Sequence, residues 1–173
     1  LAVQRIVTAS PLQRFNAAGA EQAMETVAPC VAITQWQQAL VAGRPYASEE
    51  ALLAEAARLS ESWDAQALAQ ALCAHPRIGE RAQGSSAESA LSRQEQSAVN
   101  ARDAALTQAL AEGNAQYEAR FGRVFLIRAK GRSGEEMLAA LRRRLENDDA
   151  QEEQEAIGQL REITMLRLRG AFA

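Results

Sequence analysis

Histidine, cysteine and aromatic residues are scarce in this sequence of 173 residues, which holds one histidine and two cysteines. These are too few for a multi-histidine metal site or a zinc site of His and Cys ligands, so we expect no metal. Cys30 and Cys73 form no CxxC pair and no disulfide framework, which favours a reducing compartment. Aromatic residues make up 5% of the chain, and their scarcity beside abundant alanine and leucine favours helices over strands.

Long apolar runs and an excess of positive charge are also missing. No apolar run approaches the ~20 residues of a membrane helix, and no segment has the character of a signal-peptide core. The formal net charge is −3, which gives no electrostatic attraction to nucleic acid. We therefore expect a cytoplasmic protein with neither nucleic acid nor membrane as a partner. The first ten or so residues, which begin without Met, are interpreted as a processing remnant or a disordered end.

Helix start and stop signals recur along the chain and predict an all-α fold. We expect one domain over residues 1–173, with about seven or eight helices and no significant sheet. The expected N-caps are Ser10, Ser48, Asp64 and Ser133. Pro29 is expected to open a helix that runs to Gly43. The run Val124–Ile127 is strand-like but too isolated to form a sheet.

The second half of the chain is expected to hold three helices. They run from Ser92 to Phe121, from Ser133 to about Asn147, and from about Asp149 to Gly170. Acidic residues straddle the junction before the last helix: Glu146, Asp148, Asp149, Glu152, Glu153 and Glu155. Because the helix dipole favours negative side chains near an N-terminus, we interpret this acidic cluster as a solvated helix start.

The single histidine, His75, precedes Pro76 at the point where an apolar helical pattern ends. Histidine exchanges protons near neutral pH, so His75 is the natural candidate for an acid/base centre. Gly79 lies shortly after it and would let the backbone approach a ligand closely. The alternative is a structural histidine held by hydrogen bonds within the protein.

The segment Ser92-Arg93-Gln94-Glu95-Gln96 is the second candidate. Ser-x-x-Glu is the signature of a capping box, which predicts a helix N-terminus at Ser92. The free N–H groups of a helix N-terminus also bind anionic or carbonyl-bearing ligands, and Glu95 and Gln96 would add hydrogen-bonding groups of opposite character. The two interpretations are compatible.

Arg167 is the third candidate, because it lies on the apolar face of the predicted last helix. It follows Leu160 by seven residues and Ile163 by four, which places all three on one face. A buried arginine needs a partner, since an unpaired buried charge is costly. That partner is either an internal carboxylate or a substrate carboxylate held by two hydrogen bonds.

Taken together, these segments resemble the 2-oxo-4-hydroxy-4-carboxy-5-ureidoimidazoline (OHCU) decarboxylases of urate breakdown. The matching segments appear in the family's order from about residue 40 to the C-terminus. They are Gly43–Tyr46, Ala74–Glu80, Ser92–Gln96, Tyr117–Gly122, Val124–Ile127 and Glu162–Leu168. The short His-Pro-x-x-Gly segment is weak alone, whereas the ordered set is specific.

The resemblance implies an all-helical, cofactor-free enzyme, usually a homodimer, that converts OHCU to (S)-allantoin with loss of CO2. By motif match, His75 and Glu95 are the expected catalytic residues. The expected substrate-binding residues are Pro76, Ser92, Arg93, Gln94, Glu95, Gln96, Phe125, Leu126, Ile127, Arg128, Ala129 and Arg167. The stretch Phe125–Ala129 matches a segment whose backbone touches the substrate ring.

The implied chemistry needs no cofactor, because the carbon that loses CO2 is bonded to an imine-type ring carbon that accepts the electron pair. His75 would act as general acid/base, with Glu95 holding the histidine or ring N–H groups. Gln96 and Ser92 would fix the ureido and carbonyl groups, and Arg167 would neutralise anionic charge. The alternative is a non-catalytic helical interaction module, which predicts that these residues do not converge on a polar pocket.

Overall fold

The computed structural model describes residues 9–75, 77–78, 87–95 and 104–173. These residues form nine α-helices and one 3₁₀ turn, with no β-strand among them. The helices are α1 Pro11–Ala17, α2 Ala20–Val27, α3 Thr34–Ala42, α4 Glu49–Ser60, α5 Ala65–Leu72, α6 Ala87–Glu95, α7 Ala104–Phe121, α8 Gly134–Arg144 and α9 Asp149–Ala171. The 3₁₀ turn, Ala28–Cys30, follows α2. The all-α class predicted from composition is confirmed.

All four predicted N-caps are confirmed. Ser10 and Ser133 each form a capping box with the residue three positions later, at the starts of α1 and α8. Ser48 and Asp64 accept hydrogen bonds from the backbone N–H groups of α4 and α5. A cap of this kind typically stabilises a helix by about 1 kcal/mol, so these local signals are strong enough to determine where helices begin.

Two predicted helix starts are wrong. Pro29 lies in the 3₁₀ turn, and the next helix begins only at Thr34. The Gln37 side chain donates a hydrogen bond to the Val31 carbonyl at 2.6 Å, which satisfies that group outside any helix. Ser92 lies inside α6, which begins five residues earlier at Ala87, so its hydroxyl is no N-cap. Residues 96–103 of the predicted long helix lie outside the described residues, as do residues 79–86 before α6.

Helix α9 is the element around which the first half of the chain packs. It contacts α2, α4, α5 and the 3₁₀ turn. Leu160 and Leu168 are fully buried on its inner face. Trp36 is 2% exposed, and its indole N–H donates to the Ala56 carbonyl at 3.0 Å. The apolar stripe of α9 therefore holds α2, α4 and α5 in place.

A second apolar cluster lies between α7 and α8. The chain at Ile78 and the segment of residues 124–129 pack against it, and that segment has no regular secondary structure. Gly113 lets the two helices approach, because a Cβ there would lie 2.5 Å from a methyl carbon of Leu141. None of the helices in the described ranges is long and apolar enough to cross a bilayer.

The interpretation of the acidic cluster as a solvated helix start is wrong for Glu152. This residue is 0% exposed and lies 2.9 Å from Nε of Arg144, which is itself 1% exposed. The hydroxyl of Tyr117 donates to the same carboxylate at 2.5 Å. Arg144 also donates from Nη1 to the Leu126 carbonyl at 2.7 Å. The buried carboxylate and guanidinium thus partner each other and fix one end of the segment 124–129.

Candidate active site

Arg167 is the centre of a buried polar cluster at the contact of α6, α9 and the 3₁₀ turn. Its side chain is 1% exposed, which confirms the prediction that it lies on the inner face with Leu160 and Ile163. The cluster draws one residue from α9, three from α6 and one from the end of α5. These residues are Arg167, Glu88, Ser92, Glu95 and His75.

The guanidinium of Arg167 uses all five of its N–H groups within the protein. Glu95 accepts two bonds, from Nε at 3.0 Å and from Nη2 at 2.9 Å. Nη2 also donates to Oγ of Ser92 at 3.2 Å. Nη1 donates to Oε1 of Glu88 at 2.9 Å and to the Pro29 carbonyl at 3.3 Å. Of the two partners left open by the sequence, this structure shows the internal carboxylate, and it shows two of them.

His75 lies just after α5, where its backbone N–H donates to the Leu72 carbonyl at 3.1 Å. Its side chain is 6% exposed, and Nε2 lies 4.0 Å from Oε1 of Glu88. Among the described residues Nε2 has no hydrogen-bond partner. Burial, and secondly the positive charge of Arg167, lowers the pKa of His75 to about 3. The imidazole is therefore neutral at physiological pH, with one ring nitrogen protonated and the other not.

Glu88 is a member of the cluster that the sequence reasoning missed. Burial raises the pKa of its carboxyl group; the charge of Arg167 and its hydrogen bond oppose this, and Glu95 adds to it. A signal for Glu88 existed in the sequence, because residues 88, 92 and 95 follow the i, i+4, i+7 spacing of one helix face. This spacing has meaning only if a helix begins before Ser92. The capping-box interpretation placed the start of the helix at Ser92 and so left Glu88 outside it.

Cys30 is the second unpredicted neighbour of the cluster. It ends the 3₁₀ turn, is 2% exposed, and interacts electrostatically with both Arg167 and Glu88. Burial raises the pKa of its thiol to about 12, although Arg167 opposes the shift. The thiol stays protonated near neutral pH, so it packs in the site and is a poor nucleophile there.

A cavity of about 580 Å³ opens beside Glu95 and Arg167. Its other lining residues are Leu91, Gln94, Lys130, Leu166, Gly170 and Ala171. A cavity of this size holds a small molecule, and Glu95, Arg167 and Lys130 give it charged groups of both signs. The part of the chain described contains no group of three or more His, Cys, Asp and Glu residues placed to hold a metal ion.

The remaining predicted residues are placed as follows. Gln94 is exposed at the cavity, and Arg93 is partly exposed on α6. The side chains of Phe125, Leu126, Ile127 and Ala129 are buried, so only their backbone can offer polar groups to a ligand. The Arg128 N–H donates to Gln159 at 2.9 Å, and its side chain lines a separate cleft between α4 and α9. Pro76 and Gln96 lie outside the described residues.

Comparison with known proteins shows the family of this chain. The family model for OHCU decarboxylase matches residues 16–169, almost the whole chain. The chain belongs to the OHCU decarboxylase family. It is 33% identical over 169 residues to a 2-oxo-4-hydroxy-4-carboxy-5-ureidoimidazoline decarboxylase of Amia calva, with 91% of this chain and 92% of that one covered.

One further relative and two solved structures are also similar to this decarboxylase. It is 36% identical over 107 residues to an Arabidopsis thaliana bifunctional protein of uric acid degradation, a match that covers 60% of this chain and 33% of that one. The crystal structure of an OHCU decarboxylase in the presence of (S)-allantoin superposes with a TM-score of 0.72 at 27% identity, covering 86% of this chain and 97% of that one. An (S)-allantoin synthase structure at 16% identity, with a TM-score of 0.68 over 93% of this chain and 54% of that one, shares the fold.

The family assignment decides between the two interpretations of the sequence. Of the residues whose convergence on a polar pocket would distinguish them, His75, Ser92, Glu95 and Arg167 lie in one cluster, and Gln94, Glu95 and Arg167 line the cavity beside it. This protein is a decarboxylase of OHCU in urate degradation.

Proposed function

We propose that the decarboxylase uses the Arg167 cluster as its active site and converts OHCU to (S)-allantoin without a cofactor. We propose further that it works in the cytoplasm as a homodimer. One observation carries the assignment of the site. The lone histidine, two carboxylates and an arginine from three separated segments meet in one cluster, and two of its members, Glu95 and Arg167, line a cavity of the size of a small molecule.

The reaction needs a place for an electron pair, and the substrate supplies it. When the bond to the leaving carboxylate breaks, the pair moves into the adjacent imine of the ring and CO2 departs. A proton then forms the new C–H bond. The protein must hold the carboxylate in line with the ring, stabilise the charge that develops there, and deliver the proton to one face.

His75 is the proposed acid/base group. Its imidazole is neutral in the free enzyme, buried, and free of a hydrogen bond at Nε2 among the described residues. A positioned acid/base group contributes roughly 10²–10⁴-fold to a rate. Orientation and electrostatics must supply the rest of the acceleration.

Glu95 and Arg167 are proposed to act together as an electrostatic unit. The two-point bond between them holds the carboxylate of Glu95 in a fixed orientation at the cavity. All five N–H groups of Arg167 already donate hydrogen bonds within the protein. Arg167 therefore does not bind the substrate carboxylate with two hydrogen bonds, and it contributes its fixed positive charge instead. Glu95 then disfavours a second carboxylate beside it, which favours loss of CO2 from the bound substrate.

The proposal is tested with His75→Ala and Glu95→Gln, assayed on freshly generated OHCU with the chirality of allantoin followed by circular dichroism. We expect kcat/KM to fall by roughly 10²-fold or more in each variant, with the helical spectrum unchanged. The control is Glu55→Gln, which removes an exposed carboxylate on α4 and should leave activity unchanged. Normal turnover and normal stereochemistry in both site variants would rule out this active site.

A further inference from the structure

Glu88 stands between two groups of the site, and the mechanism above leaves it unused. Its Oε1 lies 2.9 Å from Nη1 of Arg167 and 4.0 Å from Nε2 of His75. The Glu88 side chain is 15% exposed, and Nε2 is buried without a partner among the described residues. A buried carboxyl that faces an unpartnered imidazole nitrogen is an arrangement for sharing a proton.

The charge balance of the cluster also favours a protonated carboxyl at Glu88. Arg167 carries one positive charge, and Glu95 compensates it through two hydrogen bonds. Glu88 is a second buried carboxyl on the same guanidinium, so its ionised form would leave the cluster with a net negative charge. Burying such a charge is costly, and the cost is removed when the carboxyl holds a proton.

The reaction itself calls for that proton. An ionised OHCU carboxylate leaves as CO2, so forming the C–H bond of the product consumes one proton for each turnover. The neutral imidazole of His75 cannot supply a net proton unless another group replaces it. Within the described residues, Glu88 is the acid at Nε2.

We propose that Glu88 and His75 share one proton, and that Glu88 is a positioning residue that supplies the product's new C–H proton through the imidazole. The carboxyl of Glu88 gives its proton to Nε2 while the ring releases the one at Nδ1 to the carbon that has lost CO2. Glu88 is left ionised beside Arg167, and solvent returns its proton before the next turnover. This inference rests on the proposed active site and extends it by one residue.

Several other ionisable groups face this pair and influence its protonation. Arg167 approaches from α9, Glu95 from α6 itself, and Cys30 from the 3₁₀ turn. The apparent pKa belongs to the pair and not to either residue, because the two sites interact. As pH rises through that value the pair loses its shared proton, and kcat/KM should fall.

Glu88→Gln is the decisive variant, because glutamine keeps an oxygen for Arg167 and an N–H group for Nε2 but has no proton to give. We expect kcat/KM to fall at least tenfold and the alkaline decline of its pH profile to disappear. The matched control is Glu118→Gln, which removes a carboxylate paired with Arg77, two residues after His75. The control should keep both the rate and the pH profile of the parent.

The lone histidine gives a second readout that is independent of activity. In tag-free protein labelled with ¹⁵N-histidine, the Nε2 resonance should move once at a pH above the ordinary range of a glutamic acid, as Glu88 loses its proton while the ring stays neutral. That step should be absent in Glu88→Gln and present in Glu118→Gln. An Nε2 resonance that stays flat in the parent protein, or that moves equally in Glu88→Gln, overturns the inference.

The two experiments separate this inference from the proposed function. If the parent enzyme turned over no OHCU, the active-site assignment would fail, while the resonance of Nε2 would still test the shared proton. If Glu88→Gln did not fold, the titration of the parent protein would decide the question alone. An unchanged pH profile in a folded Glu88→Gln variant counts against the inference even if its rate is lower.

Discussion

At the scale of single residues, the site depends on how burial changes proton affinity. His75 and Glu88 are both removed from water, and removal from water disfavours the charged form of each. The pKa of the histidine therefore falls while that of the glutamic acid rises. Both shifts favour the uncharged forms, so in the resting pair the proton stays on the carboxyl of Glu88.

The lowered pKa of His75 makes a testable contribution to stability. The unfolded chain binds a proton at this histidine below about pH 6.5, whereas the folded protein holds it neutral down to about pH 3. The unfolded state is therefore favoured as pH falls through this window. The loss approaches about 1.4 kcal/mol for each pH unit below 6.5.

We expect His75→Gln to flatten the pH dependence of the free energy of unfolding between about pH 4 and 6.5. Urea unfolding of the parent and the variant across that range measures the difference. Because the chain has one histidine, no other imidazole contributes to it. Glu88 has the opposite sign, since its raised pKa makes folding more favourable as pH falls, so it opposes the loss that His75 causes. Parallel curves would show that the imidazole is not buried in its neutral form.

At the scale of secondary-structure elements, two helices present the site and a third region supports it. Arg167 of α9 binds three side chains on one face of α6, so the two helices are joined by polar contacts. The segment 124–129 is held from behind by Arg144 on α8 and Gln159 on α9. The buried pair of Arg144 and Glu152 thus helps to support the site. Both residues are 15 or more positions away from Arg167 along the chain.

Glu152→Gln should destabilise the protein by about 3 kcal/mol, because it leaves the buried guanidinium of Arg144 with only the partly exposed carboxylate of Glu155, 3.5 Å from Nε, as counter-charge. Chemical unfolding followed by circular dichroism measures the loss. Glu55→Gln removes the carboxylate of an exposed pair on α4 and should leave the unfolding midpoint where it is. If the two substitutions lowered the free energy of unfolding equally, the buried pair would contribute no more to stability than the pair on α4.

At the scale of the whole molecule, the proposal of a homodimer gives a direct measurement. One chain has a mass of 18.7 kDa, and light scattering after size exclusion should report twice that value. All the groups of this site come from one chain. Dilution to monomers should therefore lower activity only if the monomer is less stable than the dimer. A particle of 18.7 kDa that is fully active at assay concentration would contradict the homodimer.

Several features of this protein follow from the sequence alone because their causes are local. The caps at Ser10, Ser48, Asp64 and Ser133 involve residues three positions apart, and the helical phase of Arg167 needs no knowledge of its neighbours. The all-α class and the family resemblance belong to the same category. Each of these features can be predicted from the order of residues along the chain, without knowledge of the tertiary contacts.

Other features were decided only by tertiary structure. Ser-x-x-Glu at Ser92 is a capping box when nothing else competes for its side chains, but here Arg167 binds both Ser92 and Glu95, so the pattern lies inside a helix. Glu152 belongs to an acidic run that favours water by composition, yet it is buried because Arg144 lies 2.9 Å away. In both cases a charge distant in sequence outweighs the local preference, since a buried ion must find its partner wherever the fold provides one.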